Sequence, residues 1–198
     1  MEDEIKRLIE DENVLNMEKQ VIGEKFDFQR DISKKASEGA NLNDNDRICI
    51  RLNNDCLNNE EEAFFASINS RLCEIKYQKE ILDLQDKVSI ASEEVRKQLI
   101  EEIENKKALF ELSKLENRLR VLRTEIDRAW SYSSLYEYQI NAGVIFGKEV
   151  DKEYLKSLID YYNKHIASKN NEFVETKIMY NDLFGNMYPN ALPDNMIL

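Results

Sequence analysis

The sequence predicts an all-α fold: an elongated antiparallel helical bundle, or coiled-coil hairpin, of three to four long helices. Three observations carry this reading. Between Ala40 and Ala142 there is neither a glycine nor a proline, the two residues that most readily break helices. The whole chain has five glycines and two prolines, too few for the turns of a β protein. Leucine and isoleucine recur at three- and four-residue spacing between charged positions, the period of one helical face. Straight and fully helical, the uninterrupted stretch would run about 150 Å, against a radius of gyration near 16 Å for a compact domain of this length. The rods therefore either fold back on one another or stay elongated.

The first helix is expected over 2–37. Leu8, Leu15 and Ile22 repeat every seven residues, with Ile5 and Phe26 on the neighbouring seam, and Gly39 is placed to stop it. A polar cluster, Asn41 to Asp46, follows. Its spacing approaches that of a calcium loop, but it lacks the central glycine and the bidentate glutamate, so a connecting loop is expected. Arg47 to Leu52 alternates apolar and polar residues as a strand would. Helix is favoured there because the only weak strand partner is the apolar run from Gly143 to Gly147.

The second helix is expected over 46–86, with Phe65, Ile68, Leu72, Ile75 and Leu82 on one face and Lys79 as a polar intrusion. Beyond Leu82 the seam dissolves. A turn near Asp86 to Ser92 is expected, with Ser92 as N-cap and Glu93 and Glu94 at the positive end of the next helix. A shifted frame through Leu84, Val88, Ala91 and Val95 is the alternative, continuous reading. The third helix, 92–141, holds the cleanest heptads: Ala108, Leu112, Leu115, Leu119, Leu122, Ile126 and Ala129. With Leu112, Leu119 and Ile126 at a positions, a parallel in-register dimer would set Glu111 against Glu116 and Arg118 against Arg123, like against like. Antiparallel packing is favoured, within the chain, with another protein or in self-association. The fourth helix, 151–184, opens on an Asp151 N-cap flanked by the hydrophobic staple pair Val150 and Leu155. Leu155, Ile159, Tyr162, Ile166, Phe173, Tyr180 and Leu183 line one face, interrupted by Lys169 and Thr176. Gly185 sits where a C′ glycine belongs and Pro189 prevents resumption. The bundle is thus read as 1–185 and an extended tail as 186–198.

Composition narrows the function. A formal net charge of -11 disfavours direct binding to nucleic acid and to anionic membranes. It suits solubility or a basic protein partner. Cys49, Cys56 and Cys73 form no CxxC pair and leave one thiol over from any disulfide, so buried reduced cysteines are expected. No secretory signal or membrane span is read from the sequence, which places the chain in the cytoplasm or in a particle assembled from the cytosol. The prevalence of Asn, Lys and Ile points to AT-rich coding.

Enzymatic constellations are thin. With one histidine, His165, no two-histidine metal site can be built, and no phosphate-binding, dinucleotide, zinc-protease or nucleophile-elbow motif occurs. His165 reads as a solvated or edge-packed residue, and runs such as Glu60 to Glu62 as solvated faces. No catalytic residue, cofactor or metal is expected. The basic residues Lys106, Lys107, Lys114, Arg118, Arg120, Arg123 and Arg128 share one helix with interleaved acids, so charge matching within the chain is the expected use.

The candidate partner interface is aromatic and terminal. Trp130, Tyr132, Tyr136 and Tyr138 crowd the end of the third helix, either as a binding hot spot or as the plug of a bundle end. Tyr188 and the apolar tip Met196, Ile197 and Leu198 form a tail able to dock on a neighbour. These features predict a non-enzymatic coiled-coil or bundle protein, a structural or scaffold subunit of a multiprotein assembly such as a virion or phage component. A helical chaperone or effector-type binding module for a basic or hydrophobic client is the alternative.

Overall fold

In the computed structural model, which describes residues 2–39 and 42–189, the chain is an all-α helical bundle with one minute hairpin. The helices are α1 (Glu2–Gly39), α2 (Asp44–Ile90), α3 (Glu93–Ala142) and α4 (Lys152–Met187); β1 (Val144–Ile145) and β2 (Lys148–Glu149) lie between α3 and α4.

Local chemistry sets the helix ends. Asn43 caps α2, its Oδ1 accepting the Asp46 amide at 2.9 Å, which satisfies one of the orphan donors of the first turn. The chain breaks at Ala91 and Ser92. The Ser92 carbonyl accepts the Arg96 amide at 2.8 Å, opening α3, and Glu93 and Glu94 occupy its first turn. α2 runs four residues past the expected Asp86, its last turns held by the Lys87–Asp83 pair at 2.7 Å and by Ser89 Oγ on the Asp86 carbonyl at 2.6 Å. Gly143 ends α3 at φ 72°, the left-handed conformation that glycine adopts without steric cost. Asp151 caps α4 as expected, its Oδ1 accepting the Tyr154 amide at 3.0 Å, with Leu155 buried.

One sequence expectation needs correction. Gly185 does not end α4, and residues 186–187 are helical rather than extended. Tyr180, Phe184 and Tyr188 stack at four-residue steps, with ring centroids 6.1 and 4.8 Å apart, and side chains so spaced support another turn. Arg47 to Leu52, despite its strand-like alternation, is helical as expected, inside α2. Val144 and Ile145 pair with Glu149 and Lys148, antiparallel. Residues 190–198 of the expected tail, including Met196, Ile197 and Leu198, lie outside the described residues.

The chain divides into two compact units, each drawing on all four helices. Unit 1 takes α1 up to Lys19, Ala66–Arg120 and α4 from Glu175. Within it Lys79 donates to Glu12 at 2.9 Å and Lys19 to Asn69 at 3.0 Å, so partners on α2 fall in number as those on α1 rise. The pairing is antiparallel. Cys73 beside Ser113, Tyr77 stacked on Phe110 at 5.4 Å, and Lys106 donating to Glu80 at 2.6 Å show the same for α2 and α3. Leu15, Ile68, Ile75, Leu84, Phe110, Leu112 and Leu119 are buried here. Lys79, which interrupts the apolar seam, is neutralised across it by Glu12.

Unit 2 comprises Gln20–Phe65 and Val121–Val174. Phe26 meets Phe64 at 6.2 Å, and Arg30 bridges Asp27 and Glu61, each at 2.6 Å. Lys169 reaches Glu125 at 3.0 Å and Glu172 at 3.4 Å. Glu125 thus meets an opposite charge on an antiparallel neighbour. Two core clusters form: Ile126, Ala129 and Ile166, with Tyr162 and Phe173 packed on them; and Cys49, Cys56, Leu135 and Ile145, covered by Leu52, Tyr132, Tyr136 and Tyr138.

Candidate binding site

The hairpin joining α3 to α4 turns on Phe146 and Gly147, both at positive φ, 52° and 73°. A two-residue turn of this hand favours asparagine followed by glycine. A phenylalanine held there costs of order 1–3 kcal/mol. Its backbone is fixed by a buried carboxylate: the Phe146 amide donates to Asp46 Oδ1 at 2.7 Å, and Asp46, in the first turn of α2, is almost wholly buried. The positive end of α2 favours that charge. The Phe146 ring remains half exposed.

Beside it, still within unit 2, lies a cavity of about 740 Å³. Ile32 of α1 and Ile50 and Leu57 of α2 supply apolar wall, and Phe146 closes one side. Gln139 of α3 also reaches it and donates to Cys49 Sγ at 3.4 Å. Gln29 Oε1 is buried without a hydrogen-bond partner. The sequence gives two faint signals of this place, the glycine-bracketed apolar run from Gly143 to Gly147 and the Asn/Asp cluster before α2. Neither spacing reveals that one aspartate of the cluster anchors the distant turn.

Of the aromatic residues singled out in the sequence, three pack inward and two stand out. Tyr132 donates to Glu60 at 2.6 Å and stacks on Tyr162 at 5.3 Å. Tyr136 lies 6.2 Å from Tyr132, and Tyr138 donates to Asn45 at 3.0 Å. Trp130 is 55% exposed, and Tyr188 is exposed beside Phe184. His165 stacks on Tyr161 at 6.4 Å, its Nε2 buried without a partner. Among the described residues no cluster of three metal-ligating side chains occurs, and no helix is long and apolar enough to cross a membrane.

The basic stretch of α3 is largely matched by acids of the same chain. Lys106 pairs with Glu80, Lys107 with Glu104, Lys114 with Glu111, Arg120 with Glu116 and Arg123 with Asp127. All three cysteines are free thiols, Cys49 and Cys56 buried.

Burial pushes the Cys56 thiol from its ordinary 9.0 up to about 11. Burial, then the neighbouring Tyr162, pushes Tyr136 from 10.0 up to about 12. Tyr132 is raised by burial and by its bond to Glu60. These acids hold their protons more tightly folded than unfolded. Their contribution is whole below the unfolded values and is lost as pH climbs through the folded ones. The urea midpoint should therefore hold up to about pH 9 and fall steadily towards pH 12, with a shallower fall in Tyr136→Phe; a midpoint that rises above pH 9 would refute the burial of this cluster.

No protein-family model, curated protein or solved structure matches the chain.

Proposed function

We propose that the chain is a non-enzymatic helical scaffold that acts through protein–protein contacts, as a subunit of a larger assembly. One observation carries the reading: within unit 2, Val21, Phe28 and Ile32 of α1 are 64%, 66% and 51% exposed. Their seven- and four-residue spacing aligns them on one helical face. Large apolar side chains aligned in solvent mark a surface meant to be covered. Trp130, the residue type most enriched among binding hot spots, is exposed in the same unit. The -11 net charge supports a basic partner and argues against nucleic acid. A particle such as a virion, built from cytosolic subunits, fits these properties.

The test is cross-linking mass spectrometry on protein purified from its native source. A scaffold co-purifies in fixed stoichiometry, with cross-links from α1 to other chains. Phe28→Asp should weaken that association by about tenfold or more, equivalent to about 1.4 kcal/mol, and leave the circular-dichroism spectrum unchanged. A lone chain without partners, or turnover by the purified polypeptide, would overturn the reading. Transient exchange of a single basic or hydrophobic client would favour the chaperone or effector-type alternative, which the acidity also suits.

A further inference from the structure

The cavity of unit 2 has an uncharged wall among the described residues. Its volume, about 740 Å³, falls in the range of small-molecule sites, about 300–1,000 Å³. Among the described residues its wall carries no carboxylate, ammonium or guanidinium group, although 34% of the chain is charged. The polar contributions are uncharged: Gln29, Ser33, Asn53 and Gln139. Gln139 already spends a donor on Cys49. An ion would enter without a counter-charge and lose its hydration, which is costly. Phe146 adds a structural sign. Its backbone stays in a conformation where asparagine would be relaxed, and its ring is kept at the cavity wall.

We infer that this cavity binds a neutral, largely apolar small molecule whose body packs on Ile32, Ile50, Leu57 and Phe146. The inference does not rest on the scaffold reading, since it needs no protein partner.

The probe is N-phenyl-1-naphthylamine, neutral and aromatic with a single N–H, whose fluorescence rises on leaving water. Titrated into the full chain, it should bind saturably at one site and be displaced by dodecanol. Dodecanoate, the same chain with a carboxylate, should compete about tenfold or more less well. Ala36→Phe, at an exposed position of the wall, should weaken the probe by about tenfold with helicity unchanged. Phe146→Ala, in the exposed turn, is the second variant and should weaken it by about threefold or more. The absence of a saturable signal, indifference to both Ala36→Phe and Phe146→Ala, or equal competition by dodecanoate and dodecanol would overturn the proposal.

Discussion

Phe26→Ala should lower the unfolding free energy by about 3–5 kcal/mol. Phe26 is 1% exposed and is the largest side chain among those wholly buried. Its ring packs on Phe64 at 6.2 Å, and its neighbour Arg30 ties α1 to Glu61 of α2 at 2.6 Å. Truncation removes apolar burial and leaves a void that long helices, pinned on both sides, close only in part. Phe28, two positions on, is a control of equal chemistry. It faces water, so Phe28→Ala should move stability by no more than about 0.5 kcal/mol. Urea unfolding followed at 222 nm, the helical band, measures both. Equal losses would place the seam of α1 on the wrong face.

Tyr132→Ala should cost a comparable amount, about 3–5 kcal/mol, and for two reasons. The ring stacks between Tyr162 and Tyr136, at 5.3 and 6.2 Å, and its hydroxyl is the donor to Glu60 at 2.6 Å. Removal deletes the packing and strands a half-buried carboxylate. Tyr132→Phe isolates the second effect at about 1–3 kcal/mol. Trp130→Ala, on the exposed side of the same turns, should leave stability within about 0.5 kcal/mol. Thermal and urea unfolding of the three variants separate the inward aromatic residues from the outward one. If Tyr132→Ala folds as stably as the parent, the cluster is a surface rather than a core.

Much of the bundle is legible because burial follows period. Leu15, Leu119, Leu122, Ile126 and Ile166 all sit on the predicted faces and are buried, and the Asp151 cap and the break at Ser92 carry local hydrogen-bond signatures that a short stretch of sequence contains. What is not legible depends on a second element. Lys79 and Lys169 look like flaws in their seams, yet Glu12 and Glu125 on neighbouring helices answer them. Gly185 has the position of a helix stop, but the stacking of Tyr180, Phe184 and Tyr188 carries α4 past it. The candidate site shows the same limit more strongly. Spacing alone cannot distinguish Tyr132, which points inward, from Trp130, which does not. Nor can it link Asp46 to a turn one hundred residues away.

Zero-length carbodiimide cross-linking of the monomer, read by mass spectrometry, tests the antiparallel pairing on which this account depends. Within unit 1 it should join Lys79 to Glu12 and Lys106 to Glu80, and within unit 2 Lys169 to Glu125. Those links should appear in a single chain and survive dilution. Their absence, with lysines of α2 joined instead to carboxylates of α1 whose numbers rise in step, would mean that the helices run parallel and would contradict it.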